Sequence, residues 1–195
     1  MAGLIYAFHL LFWAAFGIAL AMGRARAAPH THGTATADIA VTAPRSRALL
    51  VVHGLAFGLM YFGLGAAVFG GRGPVTSLTE RSAGALLIVA GAALACWALT
   101  CFASWRLRAK LDAGHRLATA GPFRHIRHPI YAGLDLLAIG SALWVPTLML
   151  WAGALLMLVG GDLRARAEEK LLLQVFGAAY GDYCARTSRF VPGLY

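Results

Sequence analysis

The sequence predicts an all-α fold: a polytopic membrane helical bundle of about five transmembrane helices, with a short helical hairpin formed by helices four and five and a C-terminal amphipathic helix on the cytoplasmic side. Three observations carry this prediction. The chain is 59% hydrophobic and only 13% charged, where a soluble domain carries about 25% charged residues. The mean hydropathy is +0.68. The charges are also segregated, leaving 1–23, 48–71, 82–105 and 129–161 almost free of them.

Each of the first three stretches is long enough for one crossing, since a helix needs roughly 20 apolar residues to span the hydrocarbon. Stretch 1–23 reads as an uncleaved first span. No basic residue precedes its apolar run, and Arg24 and Arg26 follow it. The loop 24–47, rich in Ala, Thr, Gly and Pro, is expected to be flexible, with His30 and His32 solvated. His9 and His53 fall inside spans and are expected to be hydrogen-bonded packing residues. Gly54 and Gly58 have the small-xxx-small spacing that lets helices approach closely. Cys96, Cys101 and Cys184 are odd in number and lack a Cys-x-x-Cys spacing, which points to reduced, structural thiols.

The fourth stretch is too long for one helix and short for two. Trp144, Val145 and Pro146 offer a break, so helices are expected over 129–143 and 146–160, in a tight and partly re-entrant hairpin. That bend places Arg124, Arg127, Arg164 and Arg166 on one side. The loops 24–47 and 106–128 are basic, whereas 72–81 is nearly balanced. The positive-inside rule then puts the N-terminus outside and the C-terminus in the cytoplasm. The net charge of +9 follows from topology and anionic headgroups, with no aromatic-basic module for nucleic acid. One integral-membrane domain, 1–195, is expected, with a three-span part (1–116) and a second part (117–195).

Beyond Gly160 and Gly161, Asp162 suits an N-cap and Gly177 a C′ position, which predicts a helix over 163–176. At ~100° per residue, Glu168 falls between Leu172 and Val175 on the apolar face, and Glu169 borders that face. Such a carboxylate suggests a ligand. An exposed Arg164–Glu168 pair at i, i+4, worth about 0.3–0.5 kcal/mol, is the alternative. Tyr180, Tyr183 and the tail 189–195 are expected to fold back against the bundle.

The residues with most chemistry lie in 121–133, which read Gly-Pro-Phe-Arg-His-Ile-Arg-His-Pro-Ile-Tyr-Ala-Gly. Pro129 suits the first turn of a helix, which places His128 at the N-cap. Arg124, His125, Arg127 and His128 then surround the positive end of that helix, a place that attracts an anionic group. Glu168 and Glu169 would face it as hydrogen-bond acceptors. S-adenosylmethionine matches such a pocket: it carries a carboxylate, an ammonium, a ribose diol and a flat adenine. No glycine-rich strand–turn–helix is present to bind it in a Rossmann unit.

Gly121-Pro122-Phe123-Arg124-x-x-Arg127-His128-Pro129-x-Tyr131-x-Gly133, followed by Arg164-x-x-x-Glu168-Glu169, resembles the isoprenylcysteine carboxyl methyltransferase family and its phospholipid N-methyltransferase relatives, from about Leu117 to Tyr195. The resemblance implies an integral-membrane enzyme that uses S-adenosylmethionine without a Rossmann fold. His128, Tyr131 and Gly133 would line the cofactor pocket, and Glu168 and Glu169 would hold its polar end. The acceptor would be a lipophilic or lipidated molecule reached from the lipid bilayer, an isoprenylcysteine-type carboxylate being most like the family. A carboxylate needs no base and would be held by Arg124 or Arg127. A thiol or amine would need deprotonation, for which His125 or His128 is nearest. No metal is implied.

Asp135 does not match the family pattern. A carboxylate at bilayer depth is a functional candidate, paired with Arg127, with a cofactor amine, or capping a water-filled pocket. Two other readings compete. NADPH-dependent membrane sterol and steroid reductases share an Arg-His-Pro-x-Tyr-x-Gly segment and a Pro-x-x-Tyr ending, but Ile130 stands where they commonly carry asparagine. A non-catalytic membrane protein would leave Glu168 buried at a cost in free energy.

Overall fold

A computed structural model describes residues 2–27, 41–42, 46–70, 76–102, 110–111 and 117–195. The loop histidines His30 and His32 lie outside the described residues. The chain forms α1 (Ala2–Ala27), α2 (Ser46–Phe69), α3 (Leu78–Cys101), α4 (Pro129–Trp144), α5 (Leu148–Phe176) and α6 (Ala178–Arg186), with a single 3₁₀ turn over Gly121–Arg124 before α4. Strands β1 (Val41–Thr42) and β2 (Lys110–Leu111) pair antiparallel, joining the two basic loops at one end of the bundle. The helical membrane bundle is as the sequence predicts. Four helices, α1, α2, α3 and α5, are long and apolar enough to cross a bilayer, and α4 is a shorter apolar helix.

Two expectations about the hairpin change. Its break, expected at Trp144, Val145 and Pro146, falls one residue later at Val145, Pro146 and Thr147, and Thr147 caps α5 by accepting from the Leu150 amide. But α5 does not stop at residue 160. It runs for 29 residues through Gly160 and Gly161 to Phe176, absorbing the separate helix expected over 163–176. The glycines there serve contact, not termination. A Cβ at Gly160 would lie 3.2 Å from the His53 ring of α2. At Gly161 it would approach the Asp135 carboxylate of α4 at 3.6 Å. Asp162 sits inside the helix and pairs with Arg166 instead of capping.

Helix α4 is the shortest of the five apolar helices and the most enclosed. It has 16 residues, or about 24 Å, against a hydrocarbon core of about 30 Å. Twelve of those residues are buried, so its neighbours, not lipid, surround it. Two glycine pairs make the contact with α3. A Cβ on Gly84 would lie 2.5 Å from the Gly140 carbonyl oxygen, and one on Gly140 would lie 2.6 Å from that of Gly84. Gly91 and Gly133 repeat this reciprocity at 2.5 and 2.6 Å. The two pairs are spaced seven residues apart along both helices, two turns on one face. The backbones therefore touch twice along an antiparallel crossing, with the dispersion contact that small residues permit in a membrane.

The spacing of Gly54 and Gly58 proves uninformative. Both are exposed, and no atom lies within 4 Å of a Cβ placed on either. Helix α2 meets α5 through Gly63 and, from the other side, Gly153 and Gly160. His9 is hydrogen-bonded as expected. One ring nitrogen lies 3.0 Å from the Tyr61 hydroxyl and the other 2.9 Å from that of Ser141, which ties α1 to α2 and α4. Trp13 donates to the same Tyr61 oxygen. Glu80 and Ser77 form a reciprocal capping box at the start of α3. All three cysteines are free thiols.

The glycine pairs yield a test with an internal control. Gly91→Ala places a methyl against backbone, and such overpacking costs about 1–3 kcal/mol. Gly58→Ala meets open space and gains helix propensity instead. Heat-induced aggregation of the detergent-solubilised protein should therefore begin at a lower temperature for Gly91→Ala and not for Gly58→Ala.

Candidate functional site

The basic segment before α4 is built as a turn and a cap. Gly121 has φ +60°, and a Cβ there would sit 2.6 Å from the Cys101 sulfur, so the chain turns at α3 only with glycine. Pro122 and Phe123 are buried beneath the turn, and the Tyr183 hydroxyl of α6 donates to the Phe123 carbonyl at 2.8 Å. His128 is the N-cap of α4 and Pro129 its first residue, as the sequence predicts. The tail then folds back over this mouth. Ile126 and Ser188 form a parallel bridge, the Arg127 amide donates to the Ser188 carbonyl at 2.8 Å, and the His128 amide donates to that of Arg189 at 3.1 Å.

Glu169 holds this arrangement together electrostatically. Its carboxylate accepts from Arg127 Nε at 2.8 Å and from Arg189 Nη2 at 2.7 Å, with Arg189 Nε at 3.1 Å from both oxygens. Side-chain exposures of 12 to 16% make these sheltered pairs. Arg127 also donates to the backbone carbonyls of Cys184 and Thr187. Arg189 reaches Asp162 at 3.3 Å, and the Tyr195 hydroxyl donates to that carboxylate at 2.9 Å while accepting from Arg166 and Arg189. The hydrogen bonds to Glu169 hold the Arg189 guanidinium above its ordinary range. Burial, with the Glu169 charge nearby, pushes the Tyr180 phenol well above its usual value. That hydroxyl is a neutral group with no hydrogen-bond partner among the described residues.

One turn into α4, and beside Glu169 on α5, lies an aromatic and acidic group. The Tyr131 hydroxyl donates to Glu168, and Arg164 lies over the Tyr131 ring at 5.1 Å while approaching Glu168 at 3.7 Å. Glu168 is half-buried and pairs with a buried Arg164, so the pair is not the exposed one given as the alternative. His128 stacks on Tyr131 at 5.7 Å, nearly parallel. Its Nε2 is buried 3.3 Å from Glu169 without the alignment of a hydrogen bond. His53 of α2 approaches the opposite side of Tyr131 at 6.0 Å.

Beside this cluster lies a cavity of about 630 Å³, between α3, α4, α5 and the tail. Trp97, Ile139, Leu158, Phe190 and Pro192 contribute its apolar walls. Its charged or titratable lining comprises His125, Asp135, Asp162 and Tyr195. Asp135 is 8% exposed, and its Oδ1 has no hydrogen-bond partner. The volume falls within the roughly 300–1,000 Å³ of small-molecule sites.

Of the residues singled out from the sequence, His128, Tyr131, Glu168, Glu169 and Arg127 come together in one cluster. Arg127 is committed to Glu169 and the tail backbone and does not line the cavity. Arg124 is exposed and lies outside the lining, whereas His125 is exposed and within it. Gly133 packs against α3, where a Cβ would lie 2.6 Å from the Gly91 carbonyl oxygen. Asp135 does not pair with Arg127. The sequence reading missed Arg189, Asp162 and Tyr195 as members of the cluster. A lone arginine in the tail had a signal only in the second carboxylate at 169, which one cation at Arg127 leaves half satisfied. Among the described residues, no group of three or more His, Cys, Asp or Glu is arranged to hold a metal ion.

Comparison with curated proteins gives no match. A family model described as phospholipid methyltransferase matches residues 79–179, from the start of α3 into α6, and so includes the glycine-paired helices, the α4 mouth and both glutamates. The match covers more than half of the chain, which belongs to the phospholipid methyltransferase family.

Proposed function

We propose that this protein transfers a methyl group from S-adenosylmethionine to a lipophilic acceptor, with the donor's polar end at the His128–Glu168–Glu169 cluster and the acceptor in the adjoining cavity. The observation that carries this reading is the juxtaposition itself. A sheltered cluster with both signs of charge borders an apolar cavity, and Asp162 and Tyr195 belong to both.

The residues present fit the donor. Its amino-acid end is a zwitterion, and the cluster offers carboxylates on Glu168 and Glu169 beside Arg127, Arg164 and Arg189. His128 Nε2 is buried with no aligned partner and is available as a hydrogen-bonding group. Once bound, the donor supplies a methyl group already activated on a sulfonium. The chain's own contribution is then alignment in a dry site. Glu168 accepts hydrogen bonds from the donor's ammonium or hydroxyls, and Tyr131 fixes the position of that carboxylate. Glu169 acts mainly as a positioning residue, because its oxygens hold Arg127 and Arg189 and through them the tail. The cavity walls exclude water from the reacting groups.

For an isoprenylcysteine-type carboxylate acceptor, Arg127 is engaged with Glu169 and the tail backbone and Arg124 lies outside the cavity lining. The positive-inside rule supports placing the cluster, both basic loops and the C-terminus in the cytoplasm, with the N-terminus outside.

Calorimetry on the purified protein tests the donor. S-adenosylhomocysteine should bind, and Glu168→Gln should weaken it about tenfold, the equivalent of 1.4 kcal/mol. Binding of NADPH with none of S-adenosylhomocysteine would favour a reductase and overturn the proposal. Glu169→Gln should act differently. Leaving two sheltered guanidinium groups without their counter-charge costs on the order of 3 kcal/mol, so the variant should melt earlier. Limited proteolysis should then cut the tail near Thr187 to Arg189 faster than in the unmodified protein.

A further inference from the structure

Helix α1 carries a polar group that neither the cavity nor the cluster at the α4 mouth uses. Among its described residues, the buried ones are Ile5, His9, Phe12, Phe16, Ala19 and Gly23. They recur at alternating intervals of four and three, the seam of a helix that packs along its length. His9 is the one polar side chain on that seam. Gly23 brings the far end of α1 against α3, where a Cβ would strike the Leu99 carbonyl oxygen. Leu4, Leu10, Leu11 and Ile18 are exposed on the other side, so both faces of α1 are apolar. In lipid, which is as apolar as leucine, burial does not rank one face above the other. Another interaction must select the face that turns inward.

The hydrogen bonds of His9 have a direction. Its Nδ1 lies 3.0 Å from the Tyr61 hydroxyl of α2, and its Nε2 lies 2.9 Å from the Ser141 hydroxyl of α4. Ser141 donates to the Leu137 carbonyl at 2.6 Å, which leaves its oxygen to accept from Nε2–H. Trp13 donates to the Tyr61 oxygen, and the Tyr61 hydroxyl donates in turn to Nδ1. Every hydrogen has an acceptor in this order. With the proton on Nδ1 instead, the Tyr61 oxygen would accept twice, and its own hydrogen would have no partner among the described residues. A donor left unpaired inside a bundle is costly. An ionisable residue within a span often carries protons. This chain, however, ends on an indole N–H and on a peptide carbonyl, and neither takes up or releases a proton at neutral pH.

We infer that His9, held neutral with its proton on Nε2, is the key that fixes the rotation and register of α1 against α2 and α4. Facing inward, its ring finds a donor and an acceptor together. Facing lipid, it would lose both. A single polar residue on an apolar seam acts in the same way in coiled coils, where it excludes alternative registers at some cost in stability. Helices α1 and α2 precede the family-matched residues 79–179, and His9 orients the first of them on that core.

The test reads the ring and the helix separately. The full chain, with isotopically labelled histidine nitrogens, is studied by NMR in neutral detergent, and His9 is assigned by its loss in His9→Gln. The ring should be neutral with its proton on Nε2. Tyr61→Phe should shift the Nδ1 resonance, and Ser141→Ala the Nε2 resonance. For the helix, nitroxide labels are placed singly at the exposed Leu10, Leu11 and Ile18, in a background with the three native cysteines replaced, and oxygen accessibility is measured in bilayers. Each label should report one lipid-facing population. His9→Leu keeps α1 apolar but removes the key, and should split at least one label into a lipid-facing and a shielded population. His9→Gln, whose amide can still donate near the Nε2 position, should restore a single one. A proton on Nδ1, a charged ring, or single unchanged populations in His9→Leu would overturn the inference. The ring measurement on the unmodified chain decides even if a variant fails to fold.

Discussion

The backbone contact between α3 and α4 is the constraint on which the rest depends. Lipid tails are as apolar as leucine, so nothing comparable to the hydrophobic effect in water presses one membrane helix on another. Close packing and polar contacts must do so instead. Gly84 with Gly140, and Gly91 with Gly133, let backbone meet backbone at two levels of the crossing. That lets α4 sink between its neighbours until twelve of its residues are buried. A helix too short to face lipid along its whole length is thereby shielded from it. The depth of His128, Tyr131 and Asp135 is set by the same contact, because these residues occupy fixed positions on the buried helix.

Charge organises the opposite end of α4. A single carboxylate, Glu169, draws Arg127 from the segment before α4 and Arg189 from the tail. Backbone hydrogen bonds between residues 125–128 and 188–189 complete the junction. The helix start therefore does not stand open to bulk water, as a helix N-terminus at a membrane surface otherwise would. The tail closes it and also forms one wall of the cavity through Phe190 and Pro192. Fold and site are one construction here.

The helices were legible because their signal is strong: long apolar runs, basic flanks, and prolines at the start of the hairpin and at its turn. His128 at an N-cap, and a break within one residue of the observed Val145 to Thr147, followed from local stereochemistry alone. The glycines were misread where the sequence carries no information about a partner. Gly54 and Gly58 have the spacing but face open space, whereas Gly84, Gly91, Gly133 and Gly140 meet only because two helices cross. Gly160 and Gly161 looked like a helix end for the same reason: a local breaker and a contact surface are spelled alike. In the cluster, residues close in sequence were found and those supplied by the tail were not. Glu168 lay on an apolar face and so announced a burial. Arg189 announced nothing, since its pairing with Glu169 spans 20 residues and a turn of the chain at Gly177.

The short reach of α4 has a further effect. Because α5 continues past it to Phe176, the arginine–glutamate junction lies in a recess and not on a rim. Counterions screen exposed charges over about 8 Å at physiological ionic strength, but reach sheltered pairs far less. The half-exposed Arg166 belongs to the population that salt weakens; Arg127, Glu169 and Arg189 do not. The folded-back tail is consequently latched by a contact that ionic strength barely modulates, and its release depends on neutralising or displacing the Glu169 carboxylate itself.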